Sequence, residues 1–380
     1  MTEWKEYKFS DFVEINPSVK IPKGIPVSFV EMKDLDSSVR YCESSQKKEL
    51  TGGSRFINGD TLFARITPCM ENGKICQVRN LENGFGFGST EFHILRGKDG
   101  VSDSDFVYYL SRWDEVRDHA EHNMEGSSGR QRVPKQAFDN LYLSLPPLPT
   151  QRRIAAILSC LDDKIDLLHR ENATLEQMAE TLFRQWFVAE AKEEWEERPL
   201  SSIATFLNGL ACQKYPPKNG INKLPVLKIR ELSSGIGNDS DWATTEVGDE
   251  YIVHAGDVIF AWSASLMVKI WDGEDCILNQ HLFKVTSEKY PKWFYYFWCK
   301  HHLNEFISIA QSHATTMGHI KRGDLDTAMV LVPSDEELLS MTAQMEGLLR
   351  KMENNNEQIN TLIQTRDGLL PRLMSGEVKI

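Results

Sequence analysis

From Gln151 to Phe187 the chain contains neither Pro nor Gly, and its apolar side chains recur at alternating steps of four and three. Ile154, Leu158, Leu161, Ile165, Leu168, Leu175, Ala179, Leu182 and Trp186 fall on this pattern. The spacing predicts a long helix with a coiled-coil seam. At 1.5 Å rise per residue it would be about 55 Å long. One seam position, Asn172, is polar, and a lone Asn at a seam fixes register at a cost in stability. A seam needs a partner. Glu336–Leu370 supplies a second one, through Leu338, Thr342, Met345, Leu349, Met352, Asn356, Ile359, Ile363 and Leu370. It too carries an interior Asn. A globular stretch between the helices lets the chain return, so the simplest pairing is antiparallel.

The segments outside the helices alternate apolar and polar residues over short runs bounded by Gly, Pro and Asn, which predicts strands. Val27–Met32, Thr61–Ala64, Lys74–Val78, Glu91–Leu95 and Leu141–Leu145 read as strands. Lys8–Ile15 and Phe106–His119 read as helices, and Gly84–Gly88 as a loop. Pro146-Pro147-Leu148-Pro149 marks a stiff boundary before the first long helix. After a charged linker the first domain starts again. Trp4 answers Trp195; residues 27–35 answer 224–232; Asn58–Phe63 answers Ala255–Phe260. Phe92 answers Phe283; Ser128–Val133 answers Thr315–Ile320; Leu145-Pro146 answers Val332-Pro333. Identity is low but the order never scrambles, so an internal repeat governs the architecture. The expected fold class is α+β: two similar α/β domains separated by two long antiparallel coiled-coil helices, with an approximate two-fold. The boundaries are 1–149, 150–190, 191–333 and 334–380.

Composition narrows this little. The 380 residues are 41% hydrophobic and 26% charged, ordinary for a folded chain. No apolar run approaches the length of a membrane span. The seven Cys lack metal or disulfide spacing, which points to free thiols in a reducing cytosol. Phe183, Trp186 and Phe187 at the end of the first long helix are either interface anchors for partner subunits or packing against the next domain. No nucleotide-binding, metalloprotease or base-flipping methyltransferase motif is present. The net charge of -12 argues mildly against nucleic acid.

The repeat argues the other way. Two diverged domains at a fixed separation suit a duplex with two unlike half-sites. Ser127, Ser128, Arg130, Gln131, Arg132 and Lys135 form a basic loop; Thr315, Thr316, His319, Lys321 and Arg322 occupy the equivalent place and are again basic. Arg can grip guanine or phosphate and Gln can pair with adenine. Arg65, Thr67 and Lys74 come next, Arg65 being equally suited to a structural ion pair. Ser89 and Thr90 answer Asn279-Gln280-His281 at an equivalent turn, Gln280 and His281 being candidate readers. Lys214, Lys228 and Arg230 are weaker phosphate candidates.

Several stretches together resemble the specificity subunit of Type I restriction-modification systems. They are LPPLPTQRRIAAILSCLDDKID, TLFRQWF, GDTLFARITPCMENGKI, GSTEFHIL, NQHLF, TTMGHIKRGDL and the terminal RDGLLPRLMSGEVKI. The family's Glu-Gln after the Pro-Pro-Leu-Pro turn is here Thr150-Gln151, and Asp335-Glu336 in the second half. The resemblance implies two target-recognition domains on double-stranded DNA, with helical spacers acting as a ruler. It further implies that the spacers dock two modification subunits, which bind S-adenosylmethionine, and that motor nuclease (restriction) subunits join them. This chain would hold no cofactor and catalyse nothing. The competing class is a protein-binding adaptor with two modules on a coiled-coil spacer.

Overall fold

A computed structural model describes residues 4–22, 24–127, 129–218, 220–237, 239–312, 318–378 and 380. The chain divides into two compact units. One comprises residues 1–169 with 358–380; the other comprises 170–357. Each long helix is therefore shared between the units. No helix among the described residues is long and apolar enough to cross a membrane.

In the first unit, Lys5–Lys8 pairs antiparallel with Tyr142–Leu145. A five-stranded sheet follows in the order Val13–Ile15, Phe92–Gly97, Thr61–Ala64, Ile75–Val78, Tyr41–Cys42. A four-stranded sheet is ordered Gln46–Glu49, Pro26–Val30, Phe85–Gly88, Ser54–Ile57. Its central pair, Pro26–Val30 with Phe85–Gly88, is parallel. The glycine run expected as a loop is thus partly strand. A Cβ on Gly88 would lie 2.4 Å from the Val30 carbonyl oxygen, so glycine here permits close strand approach.

The second unit repeats this plan. Glu196–Pro199 pairs with Met329–Val332. The main sheet runs Thr205–Asn208, Leu282–Thr286, Val258–Ala261, Met267–Ile270. Lys223–Leu227 and Cys276–Leu278 form the equivalent parallel pair. Strand register also corrects one repeat match. His93 lies opposite Phe63, and Phe283 lies opposite Phe260. Phe283 therefore corresponds to His93, one residue beyond Phe92.

Two expected helices are rearranged. Lys8–Ile15 is strand, one helical turn (Phe9–Phe12) and strand. Phe9 and Phe12 are wholly buried, while the flanking strands pair with Tyr142–Leu145 and Phe92–Gly97; tertiary pairing overrides local propensity. Phe106–His119 becomes two helices, Ser104–Arg112 and Asp114–His122, separated by Trp113 with ψ 136°. Asp103 caps the first by accepting from the amides of Asp105 and Phe106.

The central helix spans Leu148–Arg184 and continues as one wider turn, Gln185–Ala189. It takes in Pro149, tolerated in a first turn where the amide has no intrahelical partner. Gln151 is buried: its amide donates to the carbonyls of Val101 (3.0 Å) and Pro146 (2.9 Å) and accepts from Asp103 N (3.0 Å). The distal helix spans Asp335–Met374 and runs through Pro371. Ser334 and Glu337 close its start, Glu337 accepting from Ser334 N (3.1 Å) and Oγ (2.7 Å), a reciprocal cap.

Within each unit the helix segments pack antiparallel. In the first, Ile165 and Leu168 meet Ile359, with Leu362 and Ile363 half-buried beside them. Ile154 and Leu158 join Leu370, Leu373 and Met374 in the domain core. In the second, Met345 and Leu349 pack with Ala179 and Phe183, and Leu182 and Met352 lie at the margin. Four seam positions shift by one residue. Asp162, not Leu161, is buried; Phe183, not Leu182; Met341, not Thr342; and Asn355, not Asn356. Leu175 is half-buried. Asn172 and Asn356 nevertheless bond directly, Nδ2 to Oδ1 at 2.6 Å, and Asn355 donates to Asn172 Oδ1 at 2.9 Å. Phe183 and Phe187 are buried among Trp195, Phe294, Phe297 and Trp298, so these rings pack the second domain and are not exposed anchors.

Candidate nucleic-acid interface

In the first unit the basic loop is a short hairpin. Glu125 and Arg132 exchange backbone hydrogen bonds of 2.9 and 2.8 Å, and Arg130 N donates to Ser127 O at 3.0 Å. Ser127 and Arg130 stand exposed at the tip. The turn needs left-handed backbone at Gly129 (φ 79°), which glycine adopts without penalty. Thr67 anchors the hairpin: its amide donates to Gln131 O (3.0 Å) and its Oγ1 accepts from Gln131 N (3.1 Å). Buried, with its backbone amide and its hydroxyl each bonded to Gln131, Thr67 supports the loop. Below it, His93 Nε2 bonds to Val133 O (2.8 Å) and Nδ1 faces Asn16 Nδ2 (3.3 Å). A carbonyl acceptor and an amide donor define a neutral ring protonated at Nε2. Burial pushes this imidazole down to about 4.

The hairpin brings Arg132 onto Glu91. Arg132 Nε lies 3.0 Å from both carboxylate oxygens and Nη2 lies 2.8 Å from Oε1. That fork holds the Glu91 carboxyl below its usual range, so the pair stays charged. The Arg65 backbone amide donates to Glu91 O at 2.9 Å, and its positive charge adds to that of Arg132 in holding the Glu91 carboxyl down. Ser89 Oγ accepts from Glu91 N at 3.1 Å and is turned inward; Thr90 is exposed. Lys135 is exposed. Lys74 is half-buried and its ammonium donates to Met32 O at 3.0 Å.

The second unit places different chemistry on the same frame. Trp262 N approaches His281 O (3.4 Å) and Ile320 N donates to Trp262 O (3.1 Å). The first unit has the matching bonds Arg65 N to Glu91 O and Val133 N to Arg65 O. Isolated bridges Ile66–Arg132 and Ser263–His319 complete the correspondence. Trp262, His281 and His319 therefore stand where Arg65, Glu91 and Arg132 stand. The indole stacks on Phe283 (5.6 Å, 25°), with His281 and His319 at 5.9 and 6.2 Å. Its Nε1 donates to Asn208 Oδ1 at 3.1 Å. His281 bonds through Nδ1 with Ser263 Oγ (3.1 Å) and through Nε2 with Gln280 (3.3 Å).

Other sequence candidates fall away from these clusters or are already engaged. Lys228 is ion-paired with Asp241, and Arg230 with Glu231 and Asp239. Lys214 and Lys321 are exposed, and Arg322 Nη2 reaches Phe206 O at 3.4 Å. Ser128, Thr315 and Thr316 lie outside the described residues. Glu91, Trp262, Ser263 and Asn208 were not singled out by sequence. Trp262 was within reach: Phe63-Ala64-Arg65 aligns with Phe260-Ala261-Trp262 two residues beyond the repeat match.

The sequence matches the family described as Type I restriction modification DNA specificity domain twice, over residues 1–177 and 192–364. The chain belongs to that family. It is 30% identical over 189 residues to the Type I restriction enzyme EcoAI specificity subunit of Escherichia coli, a match spanning 47% of this chain and 32% of that protein. The MjaIX specificity subunit of Methanocaldococcus jannaschii matches over 100% of this chain and 94% of its own length, at 24% identity. The S subunit from M. genitalium shares the fold, with TM-score 0.50, 12% identity and coverage of 98% and 96% of the two chains.

Proposed function

We propose that this chain is the DNA-specificity subunit of a Type I restriction-modification complex, each globular unit reading one half of an asymmetric bipartite target. The observation that carries the reading is the pair of register-equivalent clusters, one charged and one aromatic, on a duplicated frame. A shared frame gives a shared approach to the duplex; unlike side chains give unlike half-sites. The helices set the unread gap and dock two modification subunits, which bring S-adenosylmethionine and the methyl-transfer chemistry. Restriction subunits complete the assembly for cleavage, in the cytoplasm where the DNA lies. With a net charge of -12, the isolated chain binds DNA weakly, and the modification subunits supply much of the positive surface.

Gel shift with the chain alone and with its co-expressed modification subunits tests this, together with methylation mapping of the host genome. The expected result is one asymmetric methyladenine motif with a fixed gap. Absence of binding to any duplex at low salt, in either form, refutes the reading and favours a protein-binding adaptor.

A further inference from the structure

We infer that residues 65, 91 and 132 determine one half-site and residues 262, 281 and 319 the other, the first set selecting guanine and the second selecting thymine through its 5-methyl group. This rests on the DNA-specificity reading and goes beyond it, naming the determinants and the base chemistry each takes. Three separate segments meet in each cluster: the end of a central strand, the turn before its neighbour, and the loop after the helical layer. Backbone hydrogen bonds of the same pattern hold them in both units, so the chemistry that differs is that of the side chains.

In the first unit one guanidinium is forked onto one carboxylate, and the charge of a second, Arg65, acts on the same carboxylate. Glu91 clamps Nε and Nη2 of Arg132, and Arg132 Nη1 leans on Arg130 O at 3.3 Å. The guanidinium is thereby fixed in direction and keeps unspent N–H groups. Arg65 Nε is buried with no hydrogen-bond partner among the described residues. The cluster carries net positive charge and offers fixed donors. Guanine, with O6 and N7 both accepting, is the base whose major-groove edge matches.

The second cluster offers almost the reverse. Trp262 commits its one donor to Asn208, and its ring lies flat on Phe283. Both ring nitrogens of His281 are engaged by Ser263 and Gln280. What remains is a half-exposed hydrocarbon shelf walled by imidazoles. The apolar group in the major groove is the thymine methyl.

The test uses the full chain assembled with its modification subunits. Selection from a randomised duplex library gives the wild-type consensus. Each guanine is then replaced by 7-deazaguanine, which lacks N7, and each thymine by deoxyuridine, which lacks the methyl. The expected result is a loss on the order of tenfold for 7-deazaguanine in one half-site and for deoxyuridine in the other. Trp262→Ala should remove the deoxyuridine sensitivity and leave the guanine half untouched; Arg132→Ala should relax only the guanine half. The inference is overturned if no deoxyuridine position changes affinity by more than about twofold, or if Trp262→Ala leaves the consensus unaltered. The analogue scan needs no altered protein, so misfolding of a variant cannot obscure it. Failure of the wild-type complex to select any consensus overturns the specificity reading as well.

Discussion

Arg132 shows how much a partner changes a residue's meaning. In the sequence it is a cation in a flexible loop; in the fold it is half of a forked pair with Glu91. Arg132→Ala should cost about 1–3 kcal/mol of binding at one half-site and relax its sequence preference. Lys321→Ala should lower the salt slope by about 1, with a near-uniform loss if it grips phosphate. Competition binding against single-base variants at several salt concentrations separates the two. His93 makes a second prediction. Its folded value is depressed to about 4 from 6.5, so the neutral ring is favoured by folding. That contribution, up to about 3 kcal/mol, is fully present above pH 6.5 and is lost as pH falls through 4. Phe occupies the equivalent position 283, so His93→Phe should flatten the acid sensitivity. Its cost at pH 7 should be about 1 kcal/mol for the lost hydrogen bonds. Hydrogen exchange along Phe92–Gly97 at pH 7 and 4.5 checks both, and an unchanged acid loss would reject the role of His93.

At the level of elements, the two helix–domain joints differ in kind. In the first unit Arg366 and Asp162 form an ion pair at 2.8 Å, exposed by only 4% and 1%. Asp162 also accepts from the Tyr109 hydroxyl at 2.6 Å. Around it, Arg40 bonds Asp105 (2.6 Å) and Arg79 bonds Asp166 (2.9 Å). In the second unit the repeat puts Leu349 and Ala179 at the equivalent positions, in one apolar cluster. Removing one member of a buried pair strands the other, so Asp162→Ala should destabilise by about 3–5 kcal/mol. Asp162→Leu with Arg366→Ala, which copies the other joint, should recover most of that loss. Denaturant unfolding of both single variants and the double variant measures it; a double loss equal to the sum of the single losses would mean the charges contribute independently.

For the whole molecule, the proposed role of the long helices as a ruler makes their length testable. One heptad inserted beside Asn172 and one beside Asn356 keeps the seam in phase and adds about 10 Å. That is roughly three base pairs at 3.4 Å each. The methylated motif should gain a longer gap with both half-sites unchanged. A changed half-site, with the gap fixed, would remove the helices from the role of ruler.

Local pattern alone carried the two helices, five strands of the first domain and the duplication, and it missed the strands at Val13–Ile15 and Phe85–Gly88. These rest on local repetition: an apolar stripe every three to four residues, alternation along a strand, and the same order of motifs twice. Periodicity placed an Asn near the middle of each seam but did not fix that the two meet; the packed helices bring Asn172 Nδ2 to Asn356 Oδ1 at 2.6 Å. It did not carry which neighbour of a seam residue turns inward. Leu161 lost that place to Asp162 because Arg366 and Tyr109, distant in sequence, satisfy the charge. Nor did it carry the two equivalent side-chain clusters. The Glu91 carboxylate, the Arg132 fork and the Trp262 shelf are products of strand pairing between separate segments, and long-range pairing sets which side chains share an edge.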